Sequence, residues 1–242
     1  AIVRASEAVI RALEGRQIAK VETRRAGLRF PFPKDFAARL QGRRISSLSR
    51  RAKYIVGAIE GGGNLLIHLG MTGRFTIVPA SGGARNLGEF YFETGGEGQG
   101  LHDHVVFTIE DGSRVVYTDP RRFGVMDIFD GEHKLLKDIG VEPLGNELHA
   151  DYLAAKFKGK AAPLKAALLD QKIIAGLGNI YVCEALFRSH LSPTRKAGTL
   201  KANDARLETL VRNIRDILSE AIAAGGSTLQ DFAHTDGGTG SF

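Results

Sequence analysis

Four short segments hold the residue types that could do chemistry. The first is Arg50-Arg51-Ala52-Lys53-Tyr54. Its cations either discourage pairing along the edge of a sheet or face phosphate, with Lys53 also able to carry a proton. The second is Ile67-His68-Leu69-Gly70-Met71-Thr72-Gly73. Glycines bracket a methionine at a strand end, so Met71 sits at a tight turn. It either fills a gap in a core or, on an exposed tip, acts as a wedge for a base stack. The third is Tyr117-Thr118-Asp119-Pro120-Arg121-Arg122-Phe123-Gly124, where Asp-Pro favours a turn. An exposed arginine there can take a phosphate or a base edge, and an exposed phenylalanine can insert between bases. The alternative keeps Phe123 in a core beside a salt-bridged arginine pair. The fourth is Asp170-Gln171-Lys172-Ile173-Ile174-Ala175-Gly176-Leu177-Gly178-Asn179-Ile180-Tyr181. Asn179 is placed to cap the helix that follows, and the exposed amides of a helix start make a phosphate site.

The elements that must position these segments can be read from periodicity. Residues 2–13 carry Ile2, Ala5, Val9 and Leu13 at helical spacing, and Gly15 stops the run. From Ile18 to about residue 129 the pattern is short and strand-like, with strands predicted over 54–59, 64–69, 74–78, 105–110, 113–118 and 124–129. Asp111-Gly112 between two of these is a hairpin signal. Residues 79–100 are rich in glycine and read as a long, mobile insertion. After residue 132 the pattern turns helical, over 151–157, 163–174, 180–189 and 204–224. The last of these is the most amphipathic, with Leu207, Leu210, Val211, Ile214, Ile217, Leu218 and Ile222 on one face. A run of strands followed by a run of helices argues for an α+β chain of two packed domains, 1–132 and 133–242, over alternating β/α units.

Composition bounds the function. The chain has 242 residues, 43% of them hydrophobic, enough to bury a core. Its formal net charge of +6 favours polyanionic partners, although a solvated cationic face would give the same balance. One cysteine, Cys183, excludes an intrachain disulfide and a thiolate metal cluster. It reads as a core thiol and points to a cytosolic compartment. No long apolar run suggests a membrane span, and no signal-peptide pattern opens the chain. His104, His133, His149, His190 and His234 have no metal spacing and read as structural or surface residues.

Taken together and in order, the four segments resemble the signatures of the formamidopyrimidine-DNA glycosylase family. Gly-Val-Glu-Pro-Leu at 140–144 and Gly-Gly-Ser-Thr-Leu-Gln-Asp-Phe at 225–232 add to the likeness, which runs from about Gly15 to Phe242. The resemblance implies an N-terminal β-sandwich with flanking helices, then a helical domain carrying a helix–two-turn–helix, with DNA in the cleft between. It implies a glycosylase and AP lyase of base-excision repair. Such an enzyme removes oxidised purines (8-oxoguanine and ring-opened formamidopyrimidines) by flipping the base out and forming a Schiff base. The implied partner is double-stranded DNA with an oxidised purine or an abasic site. The implied setting is a monomer in the bacterial cytoplasm, associated with the nucleoid and with no membrane.

Roles follow position by position. Met71, Arg121 and Phe123 would fill the gap left by the flipped base, since flipping has an unstacking cost that something must offset. Phe123 would wedge the stack and Arg121 would pair with the orphaned cytosine. Lys53 would contact the lesion phosphates and help in the lyase chemistry. His68 and Asn179 would hold flanking phosphates, and His102 and Lys165 match further DNA contacts. Residues 227–242 would belong to the loop over the flipped base, where Ser241 replaces a tyrosine usual in the family.

Two family features have no counterpart in the sequence. The nucleophile and general acid, an N-terminal proline followed by glutamate, are absent: the chain opens Ala1-Ile2-Val3-Arg4. A four-cysteine zinc finger normally follows Phe242, so no cofactor is expected in these residues and one zinc ion in the intact family member. Both ends are expected to be trimmed from a longer protein. The alternative is a non-catalytic lesion- or DNA-binding relative. An endonuclease VIII type acting on oxidised pyrimidines is disfavoured by the intact Asp-Pro-Arg-Arg-Phe-Gly loop.

Overall fold

The structure, a computed structural model, describes residues 9, 12–81, 85–87 and 100–224. Most of the helix expected over 2–13, much of the insertion at 79–100, and the 225–232 and 227–242 segments lie outside the described residues. Those that are described fall into two compact units. One runs to His133 and includes Ala224; the other is Lys134–Ala223.

The first unit is built on two antiparallel sheets. Its strands are β1 (Ile18–Thr23), β2 (Ile45–Arg51), β3 (Tyr54–Ile59), β4 (Asn64–His68), β5 (Arg74–Val78), β6 (Arg85–Leu87), β7 (Asp103–Ile109), β8 (Arg114–Thr118) and β9 (Val125–Phe129). One sheet has the order β1-β7-β8-β5-β6 and the other β2-β3-β4-β9. Alternation puts Ile55 and Ile59 of β3 on the inner face, opposite Phe75, Phe107 and Tyr117 of the other sheet, within one buried apolar cluster. A short helix α1 (Phe36–Leu40) adds Phe36 and Leu40 to that cluster.

Strands β1 and β2 lie outside the periodicity reading for a local reason. Ile18 and Val21, like Ile45 and Leu48, are three apart, which breaks alternation. A register irregularity between Ile18 and Lys20, and another between Ile45 and Ser47, restores both residues of each pair to the core face. The 50–54 segment makes the turn of the β2–β3 hairpin and leads into β3 at Tyr54. Arg51 pairs with Tyr54, and Ala52 takes φ 53°. Within 79–100, expected to be a long, mobile insertion, Arg85–Leu87 form β6 and pair with β5.

The second unit contains α2 (Ala150–Phe157), α3 (Leu164–Leu169), α4 (Asn179–Arg188) and α5 (Ala205–Ala223). Helix α5 buries Leu207, Leu210, Val211, Ile214, Ile217 and Ala221 and packs on α4 and α2. Its expected stripe narrows at the end, where Ile222 is exposed and Ala221 takes its place. Helix α3 is shorter than the 163–174 expected. The Asp170 carbonyl accepts the amides of Ile173 and Ile174, and the Gln171 side chain donates to the Leu169 carbonyl, which diverts the backbone from the helix. Among the described residues no helix is long and apolar enough to cross a membrane.

Candidate functional site

In the first unit the second and third sequence segments form one end of the sandwich. Met71 and Phe123 project into solvent, 56% and 41% exposed. Arg121 and Arg122 are exposed as well, and the Arg121 guanidinium lies 4.6 Å from the centre of the Phe123 ring. Phe123 is therefore not a core residue and Met71 does not fill a gap. Among the described residues neither arginine has a carboxylate partner.

Beneath these tips lies a buried polar network. The Asp119 side chain, fully buried, accepts from the Thr72 hydroxyl at Oδ1 and from the Gly124 amide at Oδ2, 2.8 Å. The Tyr117 hydroxyl lies 3.1 Å from both Asp119 Oδ2 and the Leu69 carbonyl, and its one proton is shared between them. Burial, then the Asp119 charge, pushes the Tyr117 phenol well above its ordinary range. Thr72 Oγ1 in turn accepts the Arg121 amide at 3.2 Å. Two glycines permit this approach. A Cβ at Gly70 would fall 2.5 Å from the Phe123 carbonyl carbon, and one at Gly124 1.8 Å from the Tyr117 hydroxyl oxygen. Arg122 turns the loop with φ 56°.

Lys53 and His68 come together at the neighbouring sheet. The Lys53 ammonium is half-buried, and desolvation lowers its pKa from the ordinary lysine value. Among the described residues it has no hydrogen-bond partner. His68 Nδ1 accepts the Gly70 amide at 3.0 Å, which leaves the proton on Nε2 in the neutral ring. Burial, then the Lys53 and Arg29 cations, pushes the His68 imidazole down to about 4 against the pull of Asp119. Tyr54 packs on the His68 ring at 4.9 Å. His102 joins the group through its backbone, its carbonyl accepting the Asp119 amide at 3.0 Å.

Sequence reasoning missed Arg29. Its amide donates to the Gly124 carbonyl at 3.1 Å, so its loop is fastened to the Arg121–Phe123 loop. Its guanidinium lies 5.6 Å from the exposed Phe30 ring. No motif contains this pair, although an arginine beside an aromatic in a loop was a signal available to the eye. Asp119, Thr72 and Tyr117 lie inside the segments singled out, but only Asp119 has a sequence reading, as part of an Asp-Pro turn.

The second unit places Asn179 and Lys165 on adjacent helices. Asn179 is exposed and is the first residue of α4. The expectation that it caps the helix is corrected: Gly178 holds the cap position, and no side chain caps the helix start. The turn before it is stapled by Gln171, whose Nε2 donates to the Leu169 and Leu177 carbonyls at 3.0 Å and whose Oε1 accepts the Gly176 amide at 2.9 Å. A rigid turn thus presents an uncapped helix start, a ready anion site. Lys165, half-buried on α3, lines an apolar groove of about 790 Å³ with Leu169, Phe187 and Leu191. Cys183 lines it too, and it is exposed, not the core thiol expected. Among the described residues no three His, Cys, Asp or Glu side chains are grouped to hold a metal ion.

Comparison with known proteins finds two family domains along the chain. Residues 2–126 match the formamidopyrimidine-DNA glycosylase N-terminal domain, and residues 139–233 match the formamidopyrimidine-DNA glycosylase H2TH domain. The formamidopyrimidine-DNA glycosylase of Ruegeria pomeroyi is 53% identical over 235 residues, covering 96% of this chain and 80% of the relative. That of Rhizobium leguminosarum bv. trifolii is 52% identical over 246 residues, covering 96% and 81%. Among solved structures, the MutM (Fpg) protein from Thermus thermophilus superimposes with a TM-score of 0.80 at 34% identity, over 100% of this chain and 82% of that one. Lactococcus lactis Fpg in complex with DNA containing an abasic site gives 0.80 at 25% identity, over 99% and 83%.

Proposed function

The chain belongs to the formamidopyrimidine-DNA glycosylase family, and we propose that its Met71, Arg121 and Phe123 tips enter duplex DNA where an oxidised purine has been turned out of the stack. The observation that carries this reading is the exposure of three unlike side chains over a buried polar network centred on Asp119. An apolar ring held out of a core finds its payload in a partner, and a base stack accepts both an aromatic wedge and an arginine. Arg121 carries donors for the acceptors of the orphaned cytosine, and Phe123 and Met71 replace the lost stacking. Lactococcus lactis Fpg forms a complex with DNA containing an abasic site, the kind of substrate this reading gives to the chain.

Lys53 and His68 serve the backbone of the same substrate. Lys53 lacks a protein partner among the described residues and gives up its proton more readily than an exposed lysine. It can therefore meet a phosphate and also move a proton during strand cleavage. His68 donates from Nε2 as a neutral ring, and the start of α4 with Asn179 takes another phosphate.

The reaction assigned is glycosylase and AP-lyase chemistry through an imine formed by an amine nucleophile. None of the residues discussed supplies that amine. Borohydride reduction on 8-oxoguanine duplex therefore separates the two halves of the function. The 242-residue chain should bind without being trapped, and the same residues preceded by a Pro-Glu opening should be trapped. A covalent adduct with the 242-residue chain would place the nucleophile elsewhere. Phe123→Ala, measured by the fluorescence of a base analogue beside the lesion, should slow opening of the duplex. Opening at the parental rate removes the wedge assignment.

A further inference from the structure

We propose that Thr72, Asp119 and Tyr117 form a clamp that makes the Met71 turn and the Arg121–Phe123 loop one rigid wedge, with Thr72 and Asp119 as positioning residues. The inference rests on the wedge reading above and adds a device to it. Met71 and Phe123 are far apart in sequence, on the β4–β5 and β8–β9 connections, which are neighbours because β4 pairs with β9 and β5 with β8. Turns with exposed tips ordinarily move independently. Here each is tied to the same carboxylate. Thr72, next to Met71, donates its hydroxyl to Asp119 and accepts the Arg121 amide with the same oxygen. Gly124, next to Phe123, donates its amide to the other carboxylate oxygen at 2.8 Å. Tyr117 spans from that carboxylate to the Leu69 carbonyl at the foot of the Met71 turn.

All three side chains are buried, Thr72 at 5% exposure and Asp119 and Tyr117 at 0%. A carboxylate so placed is held by its donors, and each donor lost leaves a buried charge under-satisfied. The backbone side of the residue is fixed as well. The His104 ring donates to the Asp119 carbonyl at 2.9 Å, and the Asp119 amide donates to His102. The centre of the network cannot shift without breaking several hydrogen bonds together, so a displacement at one tip is passed to the other. Entry of a two-part wedge into a stack is favoured when both parts are already oriented, because no ordering cost remains at the moment of insertion.

The test is a coupling measurement on lesion-containing duplex. Duplex opening at a lesion is followed by base-analogue fluorescence, and affinity for undamaged duplex is measured separately. In the parent, Met71→Ala and Phe123→Ala should each slow opening, and the double variant should be no slower than the worse single one. In a Thr72→Val background, which removes the hydroxyl at nearly constant shape, opening should slow about tenfold, the consequence of one lost hydrogen bond to a charged group. There the Met71→Ala and Phe123→Ala effects should multiply independently. Thr72→Ser, which keeps the hydroxyl, should restore both rate and coupling. Because Asp119→Asn could fail to fold, the Thr72 pair carries the test. Independent effects in the parent, or unchanged coupling in Thr72→Val, overturns the clamp while leaving the wedge. If neither Met71→Ala nor Phe123→Ala slows opening, the wedge reading falls and the clamp with it.

Discussion

His68 and Lys53 carry their chemistry through what burial does to a charge. A histidine in the unfolded chain takes its proton near pH 6.5, whereas His68 in the fold resists protonation down to about 4. Between those values the unfolded chain binds the additional proton. The residue therefore favours the fold fully above pH 6.5, and that contribution fades as pH falls toward about 4. Nitrogen NMR should find the ring neutral and protonated on Nε2 at about pH 5, and a charged ring there would overturn the assignment. Lys53 is shifted in the same direction by desolvation. Lys53→Ala should weaken abasic-duplex binding and strand cleavage together. Lys53→Arg keeps the positive charge but holds its proton far more tightly. It should retain most of the binding while cleavage falls about 100-fold, the range of a lost proton carrier. Parental cleavage by Lys53→Arg would mean that the lowered lysine pKa plays no part.

At the scale of elements, the start of α4 separates function from stability. Asn179 stands at a helix start that no side chain caps. Asn179→Asp places a carboxylate there, which should leave stability unchanged or raise it by ~0.5 kcal/mol through the helix dipole. The same carboxylate repels phosphate, so affinity for duplex should fall at least about tenfold, as expected when a charge-assisted contact turns repulsive. Thermal melts and equilibrium binding should move in opposite senses, and a parallel loss of both would mean that Asn179 is structural. Much of this architecture could be read from sequence where periodicity is regular. Strand β3 alternates over its length, and α5 keeps a nearly continuous apolar face. It was not legible where irregular register sets apolar residues three apart, in β1 and β2, or where the Asp170 carbonyl and the Gln171 side chain end α3 early. The exposed members of the site were visible as residue types without a structural use, Arg121 and Phe123 above all. Asp119 and Thr72 were not, because a buried polar network is a property of two loops meeting and neither loop announces it alone.

Over the whole molecule, a net charge of +6 with no carboxylate partner for Arg25, Arg29, Lys53, Arg121 or Arg122 among the described residues predicts strongly salt-dependent binding. Each phosphate neutralised by a cation contributes about −0.9 to the slope of log affinity against log salt. The assigned contacts divide into two kinds by that measure. Lys53 and Lys165 are cations. His68 and Asn179 are neutral donors, the former because burial and its cationic neighbours hold the ring unprotonated. Lys165→Ala should therefore flatten the slope by about 0.9, the loss of one released counterion. His68→Ala and Asn179→Ala should lower affinity at every salt concentration and leave the slope where it was. These titrations need only undamaged duplex and a neutral buffer, so they report on backbone contacts independently of lesion opening and catalysis. If His68→Ala flattens the slope as Lys165→Ala does, then His68 meets phosphate as a cation, and the neutral tautomer set by its hydrogen bond to Gly70 does not survive binding.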